Sequence, residues 1–205
     1  MSKIYDKTQL NEIVSILEND GIVSFPTDTV FALGCIYDNI NALNKIKKAK
    51  GRDENKPIPF MGSNIEDISK VALVNENATK LIKKFMPGAL TLVLKKKDIV
   101  DDYITNGKDT IAIRIPNDEF VIKLINRIGK PMLVTSANIS GHETGTTSKQ
   151  VLEQLEDKID AIVLGECKDK VASTIVDLSD DEVKIIRTGN ISEIEIFKTL
   201  LEDVK

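Results

Sequence analysis

The sequence predicts a single α/β domain on a mixed sheet, and three observations lead there. Helical and strand-like spacings of apolar residues alternate from end to end, the apolar runs are short, and no long linker, composition break or repeat divides the chain. With 205 residues, 41% of them hydrophobic, one domain of ordinary size has the side chains for a core.

Taken in order, Leu10, Ile13, Val14 and Leu17 recur at helical spacing and Gly21 supplies a stop. Ile22 to Phe25 reads as a strand broken by Pro26, followed by an apolar stretch from Val30 to Ile36. Leu43, Ile46 and Ala49 share a helical face, with Lys45, Lys48 and Arg52 projecting elsewhere. Thr79 to Phe85 reads as helix and stops at Pro87-Gly88, where the chain turns into the strand Leu90 to Leu94. Ile111 to Ile115 alternates as a strand does and ends at Pro116. Asn117 or Asp118 can cap the next helix, whose apolar face is Val121, Leu124, Ile125 and Ile128. Pro131 to Ser136 is a further strand, and Ser148 is expected to cap a helix through Val151, Leu152 and Leu155. Strands then fit Ala161 to Leu164, Thr174 to Leu178 and Val183 to Ile186, before a last helix from Glu193 to Leu201. Periodicity leaves the strand order open.

Composition narrows the function classes. A formal net charge of −4 with only 4% aromatics argues against a protein that grips nucleic acid through its whole surface. No apolar run approaches the ~20 residues of a membrane span, and the N-terminal stretch has no h-region with a small-residue cleavage site; a cytoplasmic location is the expectation. Cys35 and Cys167 are too few and too far apart for a disulfide framework or zinc site, and read as buried thiols.

Four polar clusters fall where strands end, the usual place for a ligand in open α/β sheets. Pro26-Thr27-Asp28-Thr29 sets two hydroxyls and a carboxylate beyond a strand, though the same residues also make ordinary turns. Lys50-Gly51-Arg52, with Lys56-Pro57 after it, closes a lysine-rich helix. Its cations either offset the helix dipole or hold a polyphosphate, with Arg114 and Arg187 as further positive charges. In Thr135 to Gly141, Ser136 and Asn138 are two apart on extended chain and so share a face. Ala172-Ser173-Thr174 opens a later strand. The GxxxxGK[ST] and GxGxxG nucleotide loops, HExxH and the G-x-S-x-G elbow are all missing, and the one histidine, His142, reads as a solvated loop residue. Catalysis here would rest on positioning and charge stabilisation.

In order and together, these stretches resemble the YrdC/Sua family of threonylcarbamoyl-AMP synthases. The residues that carry the likeness are 26–34, Lys50-Gly51-Arg52, 87–91, 111–116, 135–141, 173–177 and Arg187-Thr188-Gly189, spread over about residues 8–191 of a domain taken as 1–205. The chain is similar to the short, single-domain form. The resemblance implies a twisted mixed sheet flanked by helices around a concave, basic cavity. It also implies synthesis of threonylcarbamoyl-AMP and pyrophosphate from L-threonine, bicarbonate and ATP, with Mg2+ accompanying the ATP and no protein-bound metal. Downstream proteins would transfer the threonylcarbamoyl group to tRNA, with direct tRNA contact left open and no membrane partner.

Carried over by position, the resemblance implies Lys50, Arg52, Ser136 and Asn138 as catalytic residues serving the nucleotide phosphates. Lys56, Thr110, Thr144 and Arg187 are implied as further ATP contacts. Thr29, Arg114, Ser173 and the backbone of Val134 are implied at the threonine. Two departures stand out: Met61 occupies a place where the family often has His, and Phe31 one where Tyr is usual. The alternatives are a YrdC-fold paralogue of unestablished activity, towards which Ala32-Leu33-Gly34-Cys35 leans, and a non-catalytic RNA-binding module. On the synthase reading, Arg52→Ala and Asn138→Ala are expected to fold normally and lose synthesis.

Overall fold

The computed structural model describes residues 1–53 and 56–202. Its strands join in one ten-stranded sheet, ordered β1-β8-β2-β3-β7-β4-β6-β5-β9-β10. In chain order these are β1 (Lys3–Tyr5), β2 (Val23–Phe25), β3 (Ala32–Ile36), β4 (Phe60–Met61), β5 (Leu90–Lys95), β6 (Thr110–Arg114), β7 (Met132–Ser136), β8 (Ala161–Val163), β9 (Thr174–Asp177) and β10 (Lys184–Arg187). The sheet is mixed, as the alternating pattern predicts. Pairs β1/β8, β2/β8, β4/β6 and β5/β9 are parallel, and the remaining five pairs are antiparallel.

The helices are α1 (Leu10–Glu18), α2 (Ile40–Lys50), α3 (Ile65–Val71), α4 (Glu76–Phe85), α5 (Asp102–Thr105), α6 (Glu119–Ile128), α7 (Ser148–Leu155) and α8 (Glu193–Leu201). Asp118 is the residue that caps α6, accepting from Val121 N at 3.1 Å. The cap of α7 is Thr147, one residue before the expected Ser148. Thr147 and Gln150 exchange bonds in a capping box, which Ser148, already helical, has no partner to make. Periodicity missed β1, β4, α3 and α5. They have three, two, seven and four residues, too few to show a repeat.

The two sheet faces are covered unequally, and this creates the site. On one face, α2, α3, α4, α5, α7 and α8 pack against Leu33, Leu133, Ile162, Leu90, Leu92, Leu94, Ile111, Ile113 and Val176 in one large cluster. On the other, only α1 and α6 pack, against Val23, Phe25, Ala32, Ile36, Met132, Val134, Ala161 and Val163. Alternation along β5, β6 and β9 turns Thr91, Val93, Ala112, Arg114 and Ile175 to that second face. There they floor an open cleft of about 680 Å³.

Candidate functional site

Arg114 ends β6 and is 7% exposed. Its Nε donates to the Gly88 carbonyl at 3.1 Å, Nη1 to Thr29 Oγ1 at 2.9 Å and Nη2 to Asp28 Oδ1 at 2.6 Å. Burial lowers this guanidinium from its ordinary value while the paired Asp28 raises it. A guanidinium carries five N–H donors, so two remain for a ligand. Thr27 Oγ1 gives its proton to the Val30 carbonyl at 2.8 Å, which makes Thr29 the donor in the 3.2 Å contact between the two hydroxyls. Thr29 therefore meets a ligand as an acceptor only.

Lys50 and Arg52 flank Gly51, which closes α2 in the left-handed conformation at φ 56°, where a side chain would be strained. Lys50 turns inward and is 1% exposed. Its Nζ donates to the carbonyls of Ser136 and Asn138 and to Asn138 Oδ1. Three donors are thereby spent on protein oxygens, so Lys50 braces the Ser136–Asn138 loop and holds no proton for a phosphate. Burial, then the charge of Arg52, pull its pKa down to about 7, against three acceptors that favour the charged form.

Asn138 is likewise committed. Its amide donates to the Ile139 and His142 carbonyls at 2.9 and 2.8 Å, and Oδ1 accepts from Ser136 Oγ at 2.6 Å. The expectation that Asn138→Ala folds normally does not fit a buried amide with these bonds. Ser136 and Arg52 do line the cleft. Arg52 donates to the carbonyls of Lys56 and Pro57 and to Thr135 Oγ1.

A β-bulge brings in Arg187. Ile185 pairs with Val176 and Arg187 with Ile175, so Ile186 is the extra residue. In a regular ladder of the same residues Ile186 would oppose Ile175 and Arg187 would fall on the packed face; the bulge lets both Ile186 and Arg187 reach the cleft. Arg187 Nε and Nη2 donate to the Ser173 carbonyl at 3.0 and 2.8 Å. Gly189 permits this close approach, since a Cβ there would lie 2.1 Å from the Ala172 carbonyl oxygen. Desolvation first and the charge of Arg114 second lower the Arg187 guanidinium, so two like charges share one cleft.

Of the residues singled out in the sequence, Thr29, Arg52, Lys56, Arg114, Val134, Ser136, Thr144, Ser173 and Arg187 line this cleft together. Lys50 and Asn138 stand behind its wall. Thr110 pairs with Lys95 at the far end of β6, roughly 13 Å along the strand from Arg114 at ~3.3 Å per residue, outside the lining. The Val134 N–H is already committed to the Pro59 carbonyl at 2.8 Å. Met61, 4% exposed, and Phe31 both lie at the cleft. His142 is exposed and both cysteines are buried, as the sequence suggests.

Two groups escaped the sequence reading or were left without a role: Thr91, in the lining and 2.8 Å from Ser173 Oγ, and Asp28, which stands behind Arg114 and outside the lining. A lone hydroxyl inside the apolar run 90–94 is the signal that marks Thr91. Among the described residues the lining contains no histidine or carboxylate, and no group of three His, Cys, Asp or Glu side chains is placed to hold a metal. No helix among them is long and apolar enough to cross a membrane.

A family model named Sua5_yciO_yrdC and described as telomere recombination matches residues 15–189. A threonylcarbamoyl-AMP synthase of Pyrococcus abyssi is 38% identical over 183 residues, 88% of this chain and 54% of that protein. The chain thus spans about half the length of this curated relative. The crystal structure of P. abyssi Sua5 complexed with L-threonine superposes with a TM-score of 0.91 at 34% identity, over 98% of this chain and 61% of that one. The crystal structure of Escherichia coli YciO matches with a TM-score of 0.87 at 27% identity, over 96% of this chain and 100% of that one.

Proposed function

The chain belongs to the Sua5/YciO/YrdC family, and from that premise we propose that it makes L-threonylcarbamoyladenylate and pyrophosphate from L-threonine, bicarbonate and ATP. The observation that carries this reading is the pairing at one end of the cleft. Arg114 keeps two N–H donors beside a Thr29 hydroxyl that can only accept. A carboxylate suits the first and an amine the second, and an α-amino acid offers both on one carbon. Arg52, Lys56 and Arg187 line the same cleft and suit the phosphates of a nucleotide.

In the first step the neutral amine and bicarbonate give the carbamate and water. A carbamate oxygen then attacks the α-phosphate in line, forming the O–P bond as the bond to pyrophosphate breaks. With no histidine or carboxylate in the described lining, the chain contributes orientation and positive charge to this sequence. The described residues offer no cage for Mg2+; the ion would arrive on the triphosphate as part of the substrate. On this reading the chain works in the cytoplasm, and downstream proteins carry the threonylcarbamoyl group to tRNA.

A second reading is supported by the structural likeness to YciO, together with the Ala32-Leu33-Gly34-Cys35 stretch. It would make this protein a YrdC-fold paralogue of unestablished activity. Pyrophosphate release by the purified protein separates the two. The synthase reading predicts release that requires ATP, L-threonine and bicarbonate together, and release that ignores L-threonine contradicts it.

A further inference from the structure

We propose that Thr91 is a substrate-contacting residue, donating its hydroxyl proton to the carboxylate of the amino acid held by Arg114. This deepens the synthase reading and rests on it. Leu92 pairs with Ile113 across β5 and β6, so Thr91, one position back, stands beside Arg114, one position forward. Both side chains line the cleft, and cross-strand neighbours on one face lie ~5 Å apart at Cβ.

The hydroxyl is 2.8 Å from Ser173 Oγ, and Ser173 Oγ accepts from Arg187 Nη2 at 3.2 Å. Two hydroxyls sharing one hydrogen bond have one proton left over. With an acceptor beside Arg114, the favoured arrangement has Ser173 donating to Thr91 and Thr91 donating outward. The chain then runs from Arg187 through Ser173 and Thr91 to the carboxylate, every donor pointing the same way and each polarising the next. Arg114 supplies two N–H donors and Thr91 a third. The hydroxyl of Thr91, a residue 3% exposed in the otherwise apolar run 90–94, thereby acquires a purpose that packing does not give it.

The test is isothermal titration of L-threonine, and separately ATP, into the native protein, Thr91→Val and Thr91→Ser. Valine keeps the branched shape and strand propensity while removing the hydroxyl. The expected result for Thr91→Val is L-threonine binding weakened about tenfold or more, the loss of a bond to a charged group. ATP affinity and melting temperature stay at the native level, and Thr91→Ser restores L-threonine binding. Native-level L-threonine binding by a folded Thr91→Val overturns the assignment of Thr91 alone. A native protein that gives no heat with L-threonine contradicts the amino-acid reading and the Thr91 assignment with it.

Discussion

Lys50 and Asn138 form a brace, and its consequences are local. Asn138 accepts from Ser136 and Lys50 while donating to two carbonyls. Asn138→Ala is therefore expected to cost about 1–3 kcal/mol in urea unfolding as well as synthesis. Arg52→Ala, at the cleft wall, should leave stability near native and abolish pyrophosphate release. Equal stability of the two variants would contradict the distinction. The Lys50 pKa is depressed from its usual 10.5 to about 7, so the unfolded chain holds the proton more tightly between those values. Its contribution to stability thus rises with pH across that window. The melting temperature of the native protein relative to Lys50→Met should increase from about pH 7 to about pH 9; a difference independent of pH would refute it.

At the scale of elements, the β10 bulge decides which face Arg187 sees. Deleting Ile186 should restore a regular ladder in which Arg187 follows Ile185 directly and still faces the cleft opposite Ile175. ATP affinity measured by titration should then stay near native, whereas a drop to that of Arg187→Ala would contradict this register. Such a device is invisible to periodicity, because one inserted residue looks like any other in Lys184-Ile185-Ile186-Arg187. The longer elements were legible: α6 through its apolar stripe and Asp118 cap, β5 and β6 through their alternation. β4 was not, as two residues between proline-rich chain and Gly62 carry no period. The site was legible as a set of polar strand ends, and nine of those residues meet at one cleft. What the sequence could not convey was the depth of each. Lys50 reads as a phosphate cation until the loop over it is seen to occupy its three protons. Thr110 shares the face of Ala112 and Arg114 by alternation yet lies too far along the strand.

For the molecule as a whole, function follows from leaving half of one sheet face without a helix. The packed face binds six helices into a continuous core, and the bare half presents two arginines of like charge in one cleft. A folded state that keeps like charges close gains when an anion enters between them, so L-threonine and ATP should each raise the melting temperature. The most direct measurement is mass spectrometry of the products after the purified chain is mixed with ATP, L-threonine and carbon-13 bicarbonate. The expected product is threonylcarbamoyl-AMP carrying the label, with an equal amount of pyrophosphate. Double-stranded RNA binding with no labelled adenylate, or ATP breakdown indifferent to L-threonine, would contradict it.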